Sequence, residues 1–235
     1  MAMAAGFDRV FISNPMFRAE PSFTTRHLTE FTMWDFEMSY VDSHHDIMDM
    51  EEKLIISGIK QVNEDLNLSI DVPASPFPRI KFEEVKKILK SRGVTSDKEG
   101  DLSPEEEREI AKYAKEEFNS DFVFVIDYFY SERPFYSKKH EDNAKYSKTF
   151  DLLYKGVEVT SGAQREHRAN ILEEQIKEKG LEITDFSDYV SFFKYGCPPH
   201  GGAGIGPGRI VMQMLNLPSV KEATYLTRDV KRLTP

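Results

Sequence analysis

Lys155-Gly156 constrains this chain more than any other dipeptide, because it separates two short runs, Phe150–Tyr154 and Val157–Thr160, of strand-forming residues. Two residues ending in glycine between such runs specify a tight β-hairpin. The turn sets Tyr154 opposite Val157, Leu153 opposite Glu158 and, under strict alternation, Asp151 opposite Thr160. Asp151 and Glu158 then share a face as diagonal neighbours, roughly 7–8 Å apart between backbones. Two carboxylates converging in this way suit a hydrated Mg²⁺ that also holds phosphate oxygens. The same spacing suits two carboxylates that face solvent on an edge hairpin.

A second hairpin opens the sequence. Arg9–Ile12 runs on to Phe17-Arg18-Ala19-Glu20, and Glu30–Tyr40 returns. In the returning arm Trp34, Phe36, Met38 and Tyr40 share one parity and form a core face. Phe31, Met33, Asp35 and Glu37 share the other, where two carboxylates are costly to bury without partners. That face is a site candidate. Phe122–Tyr130 reads as a further strand, buried on both faces over Phe122–Ile126.

Helices are grouped between these strands. Ser43 caps one, with Asp46 at its third position and an apolar stripe of Ile47, Met50, Leu54, Ile59, Val62 and Leu66. Pro104–Phe118 follows Ser103 in a capping-box pattern with proline first. Further helices are predicted over 169–179, over 185–195 and after a glycine-rich strand, Gly201–Gly206. Residues 69–120 read as a helical insertion beside the sheet that carries no chemistry. Hairpins with helices between them predict an α+β fold, an antiparallel β-sheet flanked by helices, with residues 1–235 as one domain.

A content of 40% hydrophobic residues supports a sizeable core. A net charge of −9 argues against a general nucleic-acid coat and leaves the Lys/Arg clusters at 86–92, 138–140 and 228–232 as solvated faces. No apolar run reaches the ~18–20 residues that span a bilayer, and no signal peptide is evident. A single cysteine, Cys197, rules out an intramolecular disulfide and fits a reducing cytoplasm.

Other residues carry chemistry by type. Arg18 and Glu20 share a face of the first hairpin, and the loop beyond adds Arg26 and His27. Two arginines flanking a loop fit a triphosphate. Arg165 can read an acidic substrate through its planar fork, although alone it fits a surface ion pair as well. Gly201–Arg209 lacks the spacing and the following unit of a dinucleotide-binding motif. A bare glycine strand instead lets a flat ligand lie on backbone, and Arg209 beyond it can meet a phosphate or base. His44-His45, with no acid or cysteine at ligand spacing, reads as a solvated helix start.

Phe17-Arg18-Ala19-Glu20, Thr25-Arg26-His27-Leu28-Thr29-Glu30-Phe31 and Asp35-Phe36-Glu37-Met38 resemble motif 2 of the class II aminoacyl-tRNA synthetases in its aspartate/asparagine form. Gly202–Arg209 resembles motif 3. Arg133-Pro134-Phe135-Tyr136, Phe150–Tyr154 and Ser161–Arg168 are similar to the archaeal-type aspartyl enzymes. The resemblance implies that Arg18 binds the ATP α-phosphate, Glu20 the adenine amino group, and Arg26 with His27 the γ-phosphate. Phe31 and Arg209 would sandwich the adenine, with Gly206 beside it. Asp151, Glu158 and Ser161 would hold Mg²⁺, which requires a β-bulge because alternation puts Thr160 on the carboxylate face. Arg165 would read the aspartate side chain, with Asp35 near its amino group. Arg18, Arg26 and Arg209 would carry the catalysis.

The resemblance also places the family's anticodon-binding barrel, its motif 1 dimer element and an upstream aspartate-reading lysine outside this sequence. Gly208 stands where the family usually has an acid before the motif 3 arginine, and Leu226-Thr227 where Phe-Pro is usual. The expected activity is ATP- and Mg²⁺-dependent activation of aspartate and transfer to the tRNA acceptor end, in the cytoplasm. A ligase of asparagine-synthetase type with another acceptor, and a catalytically impaired relative or fragment, are the alternatives.

Overall fold

The strands β1 (Arg9–Phe17), β2 (Glu30–Ser39), β3 (Arg79–Lys81), β4 (Phe122–Ile126), β5 (Thr149–Tyr154), β6 (Val157–Arg165) and β7 (His200–Ile205) form one sheet in the computed structural model, which describes residues 1–19 and 24–234. Their order is β1-β2-β7-β6-β5-β4-β3. Every neighbouring pair is antiparallel except β3–β4, which is parallel. The sheet is therefore mixed. The segment expected to be a helical insertion supplies this edge strand, because its extended connection is long enough to re-enter alongside β4.

Helices cover both faces. Helix α1 (His44–Leu66) starts at the expected capping box, with Ser43 accepting from the backbone and the Asp46 carboxylate accepting from the Ser43 amide. Its Ile47, Met48, Ile55 and Ile59 pack against Phe36, Phe124, Phe150, Leu152 and Ile205. On the opposite face α2 (Phe82–Ser91) and α3 (Pro104–Phe118) set Val85, Leu89, Ile110 and Ala114 against Val123, Val125 and Leu153. β4 is thus buried on both sides, as its unbroken apolar run requires. The remaining helices are α4 (Ala169–Glu178), α5 (Ser187–Phe193) and α6 (Pro207–Met214), the last with proline in its first turn.

Four local expectations change. Tyr40 leaves the core face: its φ of 61° ends β2 and its ring is exposed. The buried stripe of α1 is more polar than expected, with His44, Glu51 and Glu52 inside and Leu66 outside. Glu52 is satisfied, accepting from the Phe77 amide at 2.9 Å and from the Ser75 hydroxyl. His44 is only 2% exposed rather than solvated, and β4 stops at Ile126 because Asp127 takes φ 60°.

The 150–160 hairpin has the expected turn and an added bulge. Leu153 pairs with Glu158, but Leu152 pairs with Thr160 and Asp151 with Ser161, so Val159 is the extra residue. The bulge moves Ser161 onto the carboxylate face. Gly162, next along, is required by packing: a Cβ there would lie 2.2 Å from Cζ of the fully buried Phe150 ring.

Candidate functional site

Register places the polar residues in rows across the face that α2 and α3 share. Asp35, Gly204, Ser161 and Asp151 are paired in turn across β2, β7, β6 and β5. The adjacent row is Glu37, Gly202, Ala163 and Thr149. Two glycines at the centre make a flat backbone floor between walls of carboxylate and arginine. A Cβ at Gly202 would meet the Phe36 carbonyl oxygen at 2.0 Å, so no larger residue fits.

Beside this floor lies a cavity of about 480 Å³, in the size range of small-molecule sites. Arg18, Arg26, His27, Phe31, Glu158, Ser161, Gly206 and Arg209 all line it, so one cavity gathers most of the sequence-nominated residues. A larger cleft of about 1170 Å³ under residues 69–79 contains none of them. Glu20 lies outside the described residues. Arg18 is exposed, its guanidinium carbon 5.3 Å from the Phe31 ring centre. Arg209 leaves the first turn of α6, donates to the Glu158 carbonyl at 2.7 Å and lies 3.3 Å from the Arg26 carbonyl. His27 Nδ1 lies 2.6 Å from the Thr24 hydroxyl oxygen.

Arg26 has a partner that the sequence does not announce. Glu107 of α3 accepts from its Nη1 at 2.5 Å and from its Nη2 at 3.4 Å. The same carboxylate accepts from the Glu158 amide at 3.4 Å. Burial raises the Glu107 carboxyl above the usual range, against the lowering pull of Arg26. The helical segment expected to be chemically silent therefore touches two residues that line the cavity.

Asp151, Ser161 and Glu158 present three oxygen donors from one hairpin. Burial, and next to it the charge of Asp151, push the Glu158 carboxyl up to about 7. Its side chain keeps 40% of its exposure through the cavity mouth. Two carboxylates and a hydroxyl on one face fit a hard divalent cation, whose charge would favour the ionised form of Glu158. Arg133 was not nominated from sequence. It donates to both Asp151 oxygens at 3.1 and 2.6 Å, lies 3.4 Å from the Ser161 hydroxyl and stacks 3.8 Å over Tyr128. A cation at these donors must share Asp151 with that guanidinium or displace it.

Arg165 is half-buried at the far end of the floor. Its Nε and Nη2 donate to Oε1 of Glu37, and its guanidinium lies 5.4 Å from the Tyr136 ring centre. Asp35, one row away, has its carboxyl raised by burial and by Glu37, while Arg165 and Arg18 pull it down. Asp35 thus links the arginine end to the cavity end. The arrangement offers separated cationic anchors for a polyanion and for a planar carboxylate, across a flat floor.

The chain is similar to known proteins over nearly its whole length. Residues 1–230 match the tRNA synthetases of class II (D, K and N). The chain is 41% identical over 243 residues to an aspartate–tRNA(Asp/Asn) ligase of Aeropyrum pernix, covering all of this chain and 55% of that protein. It is 43% identical over 240 residues to an aspartate–tRNA(Asp) ligase of Thermoplasma volcanium, covering 99% and 55%. The aspartyl-tRNA synthetase of Entamoeba histolytica superposes with a TM-score of 0.94 at 34% identity, over 100% of this chain and 50% of that one. An asparaginyl-tRNA synthetase of Pyrococcus horikoshii complexed with asparaginyl-adenylate gives 0.88 at 32%, over 100% and 56%. The chain spans about half the length of the curated relatives it matches. With a family match over nearly its whole length and a sheet that superposes on those enzymes, the chain belongs to the class II tRNA synthetases of the D, K and N group.

Proposed function

We propose that this chain is the catalytic domain that activates aspartate with ATP and passes it to the acceptor end of a tRNA. The observation that carries the proposal is the alignment of Arg165, Asp35 and the Asp151–Ser161 pair across one glycine floor beside the arginine-lined cavity. In this reading Arg165 turns from Glu37 to the side-chain carboxylate of the substrate, and Asp35 accepts from its ammonium group. The adenine lies between Phe31 and Arg209, with Gly206 giving close backbone approach. Arg18 meets the α-phosphate, and Arg26 with His27 meets the γ-phosphate.

The substrate α-carboxylate attacks the α-phosphorus in line, the bond to the bridging oxygen breaks, and pyrophosphate leaves. No general base is required, because the attacking carboxylate is already ionised. The work of the site is positioning and charge neutralisation. Mg²⁺, when held by Asp151, Glu158 and Ser161, neutralises phosphate charge. Glu158 must then be ionised, and Arg133 gives up part of its hold on Asp151. Activation in the cytoplasm, where ATP and tRNA meet, completes the proposal.

Hydroxylamine trapping tests it. Incubation with ATP, Mg²⁺ and aspartate is expected to yield aspartyl-hydroxamate, with none from asparagine. Hydroxamate from asparagine at an equal rate, or none from aspartate in a folded chain, contradicts it.

A further inference from the structure

The N-terminus of α1 carries a second candidate site, none of whose three residues lines the cavity described above. Nε2 of His44 lies 3.1 Å from Oδ1 of Asp127, and Nε2 of His140 lies 2.8 Å from the same oxygen. One ligand atom from each of the three residues falls within 4.8 Å of the others. The Asp127 backbone, at φ 60°, donates its N–H to the Thr149 carbonyl, and the His140 N–H donates to the Tyr146 carbonyl. The His44 ring is almost wholly enclosed, yet among the described residues neither of its nitrogens makes an aligned hydrogen bond. Its Nε2 is near Asp127 but off the hydrogen-bond direction. A buried imidazole nitrogen without an aligned partner, facing a carboxylate and a second imidazole, is what metal coordination uses.

We propose that His44, Asp127 and His140 bind a divalent transition ion of the Zn²⁺ class. Two imidazoles and one carboxylate are its preferred donors, whereas Mg²⁺ takes oxygen. In a tetrahedral site with bonds of about 2.0–2.1 Å, neighbouring ligand atoms stand roughly 3.3 Å apart. Two of the observed separations, 3.1 and 2.8 Å, need only slight expansion. A small cavity of about 170 Å³ opens at His140 and Asp127, giving room for water as a fourth ligand. Lys81 lies 3.6 Å from the other Asp127 oxygen, but its side chain is 70% exposed and free to move into solvent. The ligands come from a helix start, a strand end and the loop over 137–148. The ion would clip these three together.

This site is independent of aspartate activation, so each proposal can fail alone. The test titrates Co²⁺ into chelator-treated protein with excess Mg²⁺ present to fill oxygen sites. Wild type is expected to take up one equivalent with the intense visible absorption of four-coordinate Co²⁺, displaced by Zn²⁺. His140→Ala, on a surface loop, and Asp127→Asn, which tolerates the left-handed backbone, each weaken binding by at least about tenfold. His45→Ala leaves it unchanged. Absence of the visible band in wild type, or wild-type affinity in both ligand variants, overturns the proposal. So does a near-ultraviolet thiolate band, which would place the ion at Cys197, whose sulfur lies 3.5 Å from His200 Nδ1.

Discussion

Arg165 donates from Nε and Nη2 to a single oxygen of Glu37, at 3.0 and 2.7 Å, while the second Glu37 oxygen is buried without a hydrogen-bond partner among the described residues. An internal carboxylate thereby holds the guanidinium in a position that a substrate carboxylate would contest. Arg165→Leu is expected to weaken aspartate binding by at least ~100-fold, about 2.7 kcal/mol, and to leave ATP binding within about twofold. Calorimetry with each ligand checks this. Aspartate affinity unchanged in the variant would remove Arg165 from the pocket's chemistry.

Glu107 stands in the same relation to Arg26. Its carboxylate occupies the fork that a terminal phosphate would use. Glu107→Gln removes the competing charge and keeps the shape. The Michaelis constant for ATP should fall by roughly 3–10-fold, up to about 1.4 kcal/mol. A rise instead would mean that Glu107 orients Arg26 rather than competing for it.

Glu51 predicts a pH dependence of stability. It is fully buried on α1, where burial pushes its carboxyl up to about 8, Thr160 drawing it down slightly and Asp151 raising it further. Among the described residues neither Glu51 oxygen nor the Thr160 hydroxyl makes a well-aligned hydrogen bond. The folded value lies above the ordinary 4.5, so this contribution is complete below 4.5 and is lost as pH rises to about 8. The loss amounts to a few kcal/mol at most. Glu51→Gln should flatten that part of the curve. Denaturant midpoints measured from pH 5 to about 9 would show an unchanged slope if the carboxyl were not protonated in the fold.

What the sequence made legible was local. The Lys155-Gly156 turn, both serine capping boxes and the two-faced burial of β4 are written within a few residues of where they act. The rows of the floor follow from alternation once the strands are known. The Val159 bulge does not, because periodicity carries no mark of an inserted residue; family resemblance required it. Partners brought by the fold from afar were invisible. Glu107 meets Arg26 from 81 residues away, and Asp127 reaches His44 and His140 only because β4 ends beside α1. The parallel β3–β4 pair was hidden by three prolines, Pro73, Pro76 and Pro78, which read as a connection and left only three residues of strand after them.

Aspartate-dependent exchange of labelled pyrophosphate into ATP tests the central claim most directly, since it reports adenylate formation without any tRNA. Exchange with aspartate and Mg²⁺, absent with asparagine and lost in Arg165→Leu, is the predicted result. A folded chain that binds ATP yet shows no exchange with aspartate, or exchanges equally with asparagine, would contradict the assignment of this floor to aspartate activation.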